Sequence, residues 1–205
     1  MRLFTSAYNE MYVKDISSKI RRTLAYNREQ GQFIGSFAPY GYKIDPDNKH
    51  HLIIDEATAP VVKLIFNMYA DGEGYRKIVQ KLNDNGIASP TEYKKQTGSR
   101  YVNFNAQASN SKGLWTQSTI ARMLANEMYT GTLVQGKSHH ISYKNKKRKK
   151  VDKDDWIRIP DTHEAIINPD IWSRTQERLN SHTRVGKRSQ ELSPLSGKVK
   201  CAVCG

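Results

Sequence analysis

The first thirty residues contain neither glycine nor proline, and this constrains the chain more than any other feature. Apolar side chains recur at Phe4, Tyr8, Met11, Val13, Ile16, Ile20 and Leu24, mostly at three- and four-residue steps, the period of an amphipathic helix. At the rise of an α-helix, thirty residues make a rod of roughly 45 Å. A lone helix of this kind is marginal in water, so its apolar stripe predicts a partner helix or a neighbouring domain. Lys14, Ser18, Arg21, Arg22 and Arg28 fall on the side away from Ile16, Ile20 and Leu24. A basic face is ordinarily just a solvated one, so its meaning depends on the charge of the whole chain.

That charge is high. Among 205 residues, 33 Lys and Arg stand against 20 Asp and Glu, a net +13. The surplus favours a polyanionic partner, nucleic acid first, over an enzyme whose positive charge is confined to one cleft. At 37% hydrophobic residues the chain can build a modest core. No run of ~18 apolar residues exists to cross a membrane. The N-terminus lacks the apolar stretch of a secretory signal. The two cysteines both lie in the last five residues, which excludes a disulfide framework and fits a reducing cytoplasm.

Beyond the first helix, Gly31, Gly35 and Pro39 predict an extended connector over 31–39. Tyr40 to Ile44, the turn-rich Asp45-Pro46-Asp47-Asn48 and Leu52-Ile53-Ile54 read as a β-hairpin. A helix should begin between Asp55 and Pro60 and stop at Gly72. A second should run from about Tyr75 to Asn83, with Ile78, Val79 and Leu82 inward. Ser89-Pro90 opens a polar stretch to Gly113 with little periodicity, read as an insertion or a segment ordered on binding. Thr116 is a candidate N-cap for a third helix that buries Ile120, Met123 and Leu124. Thr132-Leu133-Val134 and Trp156 to Ile159 read as strands, and Asn168-Pro169 opens a last helix that buries Ile171, Trp172 and Leu179. From Asn180 the composition becomes polar and basic, as in a linker.

Three constellations bear on chemistry. The second and third helices form a candidate helix-turn-helix-like pair with an expanded turn. On the third, Thr116, Gln117, Ser118, Thr119 and Arg122 could donate to phosphates and base edges together. Lys144, Lys146, Lys147, Arg148, Lys149 and Lys150 are six basic residues in seven, read as a mobile loop that adds salt-sensitive phosphate affinity. Cys201-x-x-Cys204-Gly205 resembles one knuckle of a zinc ribbon and supplies only half of a tetrahedral site, the nearest upstream histidine being His182. Catalytic motifs are missing. His163-Glu164 opens like a zinc-protease helix, but Ile167 stands where the second histidine belongs. His139-His140 sits in a polar basic stretch, and no serine has a nucleophile setting.

Taken in order, several stretches carry a family resemblance: Asn9 to Arg21, Gly35, Pro39-Tyr40-Gly41-Tyr42, Ile78 to Ile87, Trp115 to Leu124, Asn126, Tyr129-Thr130-Gly131 and the cysteine knuckle. They resemble the large serine site-specific recombinases, which include phage integrases and transposon-encoded resolvase-type recombinases. The resemblance implies that residues 1–30 are the end of a catalytic domain with its long helix and that 31–39 are a minor-groove linker. It further implies a DNA-binding recombinase domain over 40–182, then at 183–205 a linker and the truncated start of a zinc ribbon. The implied fold is α+β: a long N-terminal helix, a linker, then a mainly helical domain with a helix-turn-helix-like core and small β-hairpins.

The family's nucleophilic serine would lie N-terminal to Met1, so no catalytic residue is carried onto this chain and the fragment should be inactive. The implied partner is double-stranded DNA, met by Lys14, Arg21, Arg22, Arg28, Gln32, Ser36 and Tyr40 besides the third helix and the 144–150 run. The full-length protein would form a homodimer on each site and a tetramer at synapsis, bind zinc, and act in the cytoplasm of a bacterium on behalf of a mobile element. Ser36-Phe37-Ala38 departs from the basic residue the family often carries after the second linker glycine, which shifts weight to backbone amides, Ser36 and Arg28. Two other readings compete. A freestanding transcription regulator would need a complete N-terminus at Met1, against which the unpartnered apolar stripe argues. A basic RNA-binding protein is suggested by the charge and the 144–150 run.

Overall fold

The computed structural model describes residues 2–98, 113–142, 144, 145 and 147–181, the side chains of the first nine excepted. In chain order the elements are α1 (Arg2–Glu29), β1 (Tyr42–Ile44), β2 (Leu52–Ile54), α2 (Ala59–Ala70), α3 (Tyr75–Asp84), α4 (Pro90–Gln96) and α5 (Gln117–Leu124). A 310 turn (Glu127–Thr130), β3 (Leu133–Gln135), β4 (Ser138–His140), β5 (Arg148–Lys150), a second 310 turn (Lys153–Asp155), β6 (Ile157–Ile159) and α6 (Pro169–Ser181) follow. The strands form three antiparallel pairs, β1–β2, β3–β6 and β4–β5, so the fold is α+β. No helix among the described residues is long and apolar enough to cross a membrane.

Three expectations change. The polar run after Ser89 begins with a helix, α4, because Ser89 caps it and Pro90 occupies its first turn, where no N–H is needed. The basic run is no loop at its C-terminal end: Arg148–Lys150 form β5, paired Ser138↔Lys150, His139↔Lys149 and His140↔Arg148. In α6 it is Thr175 that is fully buried, whereas Ile171, Trp172 and Leu179 are half-buried. Its hydroxyl donates to the Ile171 carbonyl at 2.7 Å, which satisfies the group and lets a polar side chain pack inside.

The chain forms two compact units, and the boundary falls within α2. One comprises residues 1–65 and 126–168. In it Met11, Val13, Ile16 and Ile20 of α1 are exposed, so the apolar stripe has no cover there. The connector after α1 is stitched on both sides. Gln135 donates to the Gln32 carbonyl at 2.8 Å and accepts from Ile34 N–H at 3.1 Å, while Phe33 N–H donates to the His50 carbonyl at 2.8 Å.

The core beside the connector is aromatic and polar. Tyr42 and Tyr129 stack at 6.1 Å, and Tyr42 meets His163 edge-on at 4.9 Å. Burial raises both phenols, which therefore stay protonated; Tyr42 donates to the Glu164 carbonyl at 2.8 Å and Tyr129 to the Tyr40 carbonyl at 3.0 Å. His163 Nε2 lies 2.7 Å from the Met128 carbonyl and Nδ1 lies 2.8 Å from the Thr162 hydroxyl. A carbonyl can only accept, so the neutral ring carries its proton on Nε2 and takes a hydrogen bond at Nδ1.

The second unit comprises residues 66–125 and 169–205. Here α6 serves the ends of other helices. Arg178 donates to the carbonyls of Tyr69, Gly72 at 2.6 Å and Glu73 at 2.9 Å, with its guanidinium 4.4 Å from the Tyr69 ring centre. Gln176 donates to the Leu124 carbonyl at 2.8 Å. Tyr69 and Leu124 lie in the last turns of α2 and α5, where carbonyls lack a full set of intrahelical partners, and Gly72 and Glu73 lie in the turn that follows α2.

Two measurements check the first unit. Gly41 has φ +98°, and a Cβ there would sit 2.8 Å from Val62 Cγ2 and 2.9 Å from Ile166 Cδ1. Gly41→Ala should therefore cost about 2–5 kcal/mol in urea unfolding, combining left-handed strain with overpacking. Burial lowers the His163 pKa below its ordinary 6.5, so the folded ring resists a proton that the unfolded ring accepts. Its contribution is complete above pH 6.5 and is lost as the pH falls from there through the folded-state pKa. The melting temperature of the wild type should drop more steeply from pH 7.5 to 5 than that of His163→Gln, and parallel curves would exclude this residue as the cause.

Candidate nucleic-acid interface

In the second unit α5 is built to present its N-terminal side chains. Thr116 accepts from Thr119 N–H at 3.3 Å as the N-cap, and its hydroxyl lies 2.9 Å from that of Thr119 and 3.0 Å from that of Ser118. Ile120, Met123 and Leu124 are buried, as their spacing predicts. Gln117, Ser118 and Arg122 are then left on the exposed side, while Thr116 and Thr119 are occupied with the cap. Arg122 donates through Nε to the Ser118 carbonyl at 3.1 Å, one turn back. That bond engages Nε alone and restrains the planar guanidinium of an exposed residue.

Helix α3 packs against α5 and contributes Arg76, Gln80 and Lys81 to its exposed side; Lys77 pairs with Glu73 at 3.0 Å. A side-chain clamp joins the two helices. Asn83 accepts from Trp115 N–H at 2.9 Å and donates to the Trp115 carbonyl at 3.3 Å. The Trp115 indole, 2% exposed, donates to the Ile87 carbonyl at 2.8 Å. Ser89 donates to the Gly113 carbonyl at 2.5 Å, closing the neck of the excursion between α3 and α5. The greater part of the polar segment, 99–112, lies outside the described residues.

The first unit holds the other residues singled out in the sequence. Lys14, Arg21 and Arg22 are exposed on α1 and Arg28 is half-exposed. Ser36 is exposed on the connector, and Gln32 is half-buried with its carbonyl bonded to Gln135. Tyr40 departs from its expected place: it is 9% exposed, and its backbone carbonyl takes the Tyr129 hydroxyl. A ring buried in the core has little surface for a DNA contact, so Tyr40 belongs to the packing. Lys147, Arg148, Lys149 and Lys150 are exposed along the β4–β5 ribbon, and Lys144 pairs with Glu10 of α1. Lys146, Cys201 and Cys204 lie outside the described residues.

Besides Arg76 and Lys81 of α3, four residues here carry no site signal in the sequence. Asn83 is thirty-two residues from its partner, and no local pattern marks such a pair. Trp156 at the foot of the ribbon lies under two cations, Lys137 at 5.0 Å and Arg158 at 5.4 Å from its ring centre. Its indole donates to the Val151 carbonyl at 3.0 Å, and Arg158 pairs with Glu127 at 2.9 Å. Burial chiefly, with Arg158 adding to it, lowers the Lys137 pKa against the pull of Glu127. By its sequence the tryptophan marks only a strand, and neither cation falls within the dense basic run.

The clamp yields a direct test. Asn83→Ala leaves the buried Trp115 N–H without its acceptor and should cost about 1–3 kcal/mol in urea unfolding. Asn83→Asp keeps the acceptor and should recover part of that loss. Equal stability of Asn83→Ala and the wild type would show that the clamp contributes nothing.

A family model described as Recombinase matches residues 56–182. The uncharacterized protein YefB of Bacillus subtilis (strain 168) is 33% identical over 100 residues, which are 48% of this chain and 33% of that protein. A crystal structure described as an LSR-DNA complex is 17% identical with a TM-score of 0.50, covering 90% of this chain and 45% of that one. A structure described by the sequence requirements of the Listeria innocua prophage attP site is 18% identical with a TM-score of 0.47, covering 80% and 52%. The chain therefore spans about a third of the curated relative and less than half of the LSR-DNA structure.

Proposed function

The chain belongs to the recombinase family, and from that premise we propose that it binds duplex DNA sequence-specifically as the DNA-binding part of a serine site-specific recombinase. The observation that carries this reading is the exposed trio Gln117, Ser118 and Arg122 on a capped helix braced by the Asn83–Trp115 clamp. A helix seated in the major groove needs short donors near its N-terminus and a fork that can take a guanine edge. Arg76 and Lys81 on α3 then lie on the phosphates beside that groove. A protein described by its complex with DNA shares the fold, which agrees with this partner.

In the other unit, Lys14, Arg21, Arg22 and Arg28 of α1 meet phosphates, and Ser36 with the connector's backbone amides enters the minor groove. Phosphate contacts of this kind set position and general affinity; base contacts set specificity. In the longer protein this binding would bring a catalytic serine from another domain to the DNA for strand cleavage and exchange. That protein would act as a dimer on each site and a tetramer at synapsis.

Selection from a random duplex pool should return one preferred sequence. Arg122→Ala should weaken binding to it by about 1–3 kcal/mol and relax preference at a single base pair. It should leave binding to unselected duplex nearly unchanged. Equal losses on both duplexes would overturn the assignment of α5 as the reading helix.

A further inference from the structure

From Lys137 to Val151 the sequence carries seven Lys or Arg, two His and no acid. In the structure this segment contains an ordered two-stranded ribbon. Pairing extends past β4 and β5 through Val151 N–H to the Lys137 carbonyl at 3.1 Å and Ile141 N–H to the Lys147 carbonyl at 3.1 Å. The turn is tied by Asn145 N–H to the Ser142 hydroxyl at 2.8 Å and Lys147 N–H to the Asn145 side chain at 3.0 Å. Arg148, Lys149 and Lys150 are successive residues of β5, so their side chains emerge on both faces.

This arrangement is electrostatically unfavourable by itself. Cross-strand neighbours in a sheet are stabilised by opposite charges and destabilised by like ones. Here the partners across the ribbon are Ser138, His139 and His140, so no opposite charge offsets Arg148 and Lys150, which stand two residues apart on one face of β5. A polyanion along the ribbon would remove that cost. The foot of the ribbon is held by Trp156, which bonds Val151 and lies beneath Lys137 and Arg158. Glu127 already neutralises Arg158, so Arg158 supports the tryptophan and Lys137 continues the line of charge.

We propose that the β4–β5 ribbon is an arm that grips the phosphate backbone of duplex DNA without reading its sequence. Lys137 is one of its contacts, and Trp156 is the positioning residue that holds the arm in place. The proposal rests on the reading of the chain as a duplex-DNA binder, and it adds a second element that acts independently of α5. The ordered ribbon is what a mobile basic loop lacks: its charges are spaced before DNA arrives, so less freedom is lost on binding.

The test is binding of the full chain to the selected duplex and to a random duplex, across a range of salt concentrations. Each lost phosphate contact flattens the slope of log K against log salt by about 0.9. Changing Arg148, Lys149 and Lys150 together to Gln should flatten it by about 2–3 and weaken both duplexes by the same factor. Lys137→Gln should flatten it by about 0.9. Trp156→Ala should weaken both duplexes equally although no charge is lost, and Trp156→Phe should restore most of the affinity by keeping a ring under the cations. An unchanged slope in the triple variant overturns the arm, and so does a loss confined to the selected duplex. Structured RNA displacing random duplex at equal nucleotide concentration overturns the choice of DNA. If selection returns no preferred duplex while the slope still flattens, the α5 reading fails and the arm stands.

Discussion

Backbone groups at the ends of short elements must find partners, and much of this structure is organised around that requirement. Each strand has three residues, and the helices after α1 have seven to thirteen. Every helix leaves about four N–H and four C=O groups without a partner of its own. Short elements therefore expose many such groups for each internal bond they make, and side chains meet much of the demand. Arg178 binds the Tyr69 carbonyl of α2 and the turn after it, Gln176 closes the last carbonyl of α5, Gln135 completes the connector, and Tyr42 and His163 bind carbonyls in the core. Asn83 does the same at Trp115, and by doing so it joins α3 to the entrance of α5.

The interface inherits its form from this. Helix α5 has eight residues, too short to hold an orientation by its own propensity. Its orientation comes from three buried apolar residues, a threonine cap and the clamp on the preceding residue. Once these are satisfied, Gln117, Ser118 and Arg122 are the side chains left to face outward. The charge of the chain is arranged by the same logic. Many lysines and arginines occupy positions that packing does not use, on the outer sides of α1 and α3 and along β5.

Much of this was legible in the residues. The long helix, the first hairpin, the stops at Gly72 and Gly86 and the cap at Thr116 follow from periodicity and turn chemistry, which act over a few residues. The α4 helix was missed because a polar seven-residue helix has no apolar period; its signal was only Ser89-Pro90. The ribbon was missed because its strand is a run of like charge, with none of the β-branched or aromatic enrichment that marks a strand. A tyrosine beside a linker can equally pack or bind, and the burial of the Tyr40 ring is not legible in the residues around it.

The sequence by itself determined where helices start and stop, which residues of α5 turn inward, and that a strong positive charge needs an anionic partner. These depend on neighbours within a turn or two, or on a sum over the chain. Tertiary structure alone decided that Asn83 holds Trp115, that Thr175 is interior, that Tyr40 is core, and that Trp156 supports the foot of a basic ribbon. Each of these depends on burial or on partners brought together by folding. A hydrogen bond between residues thirty-two apart, or a cation over a ring nineteen residues away, leaves no periodic trace in the sequence.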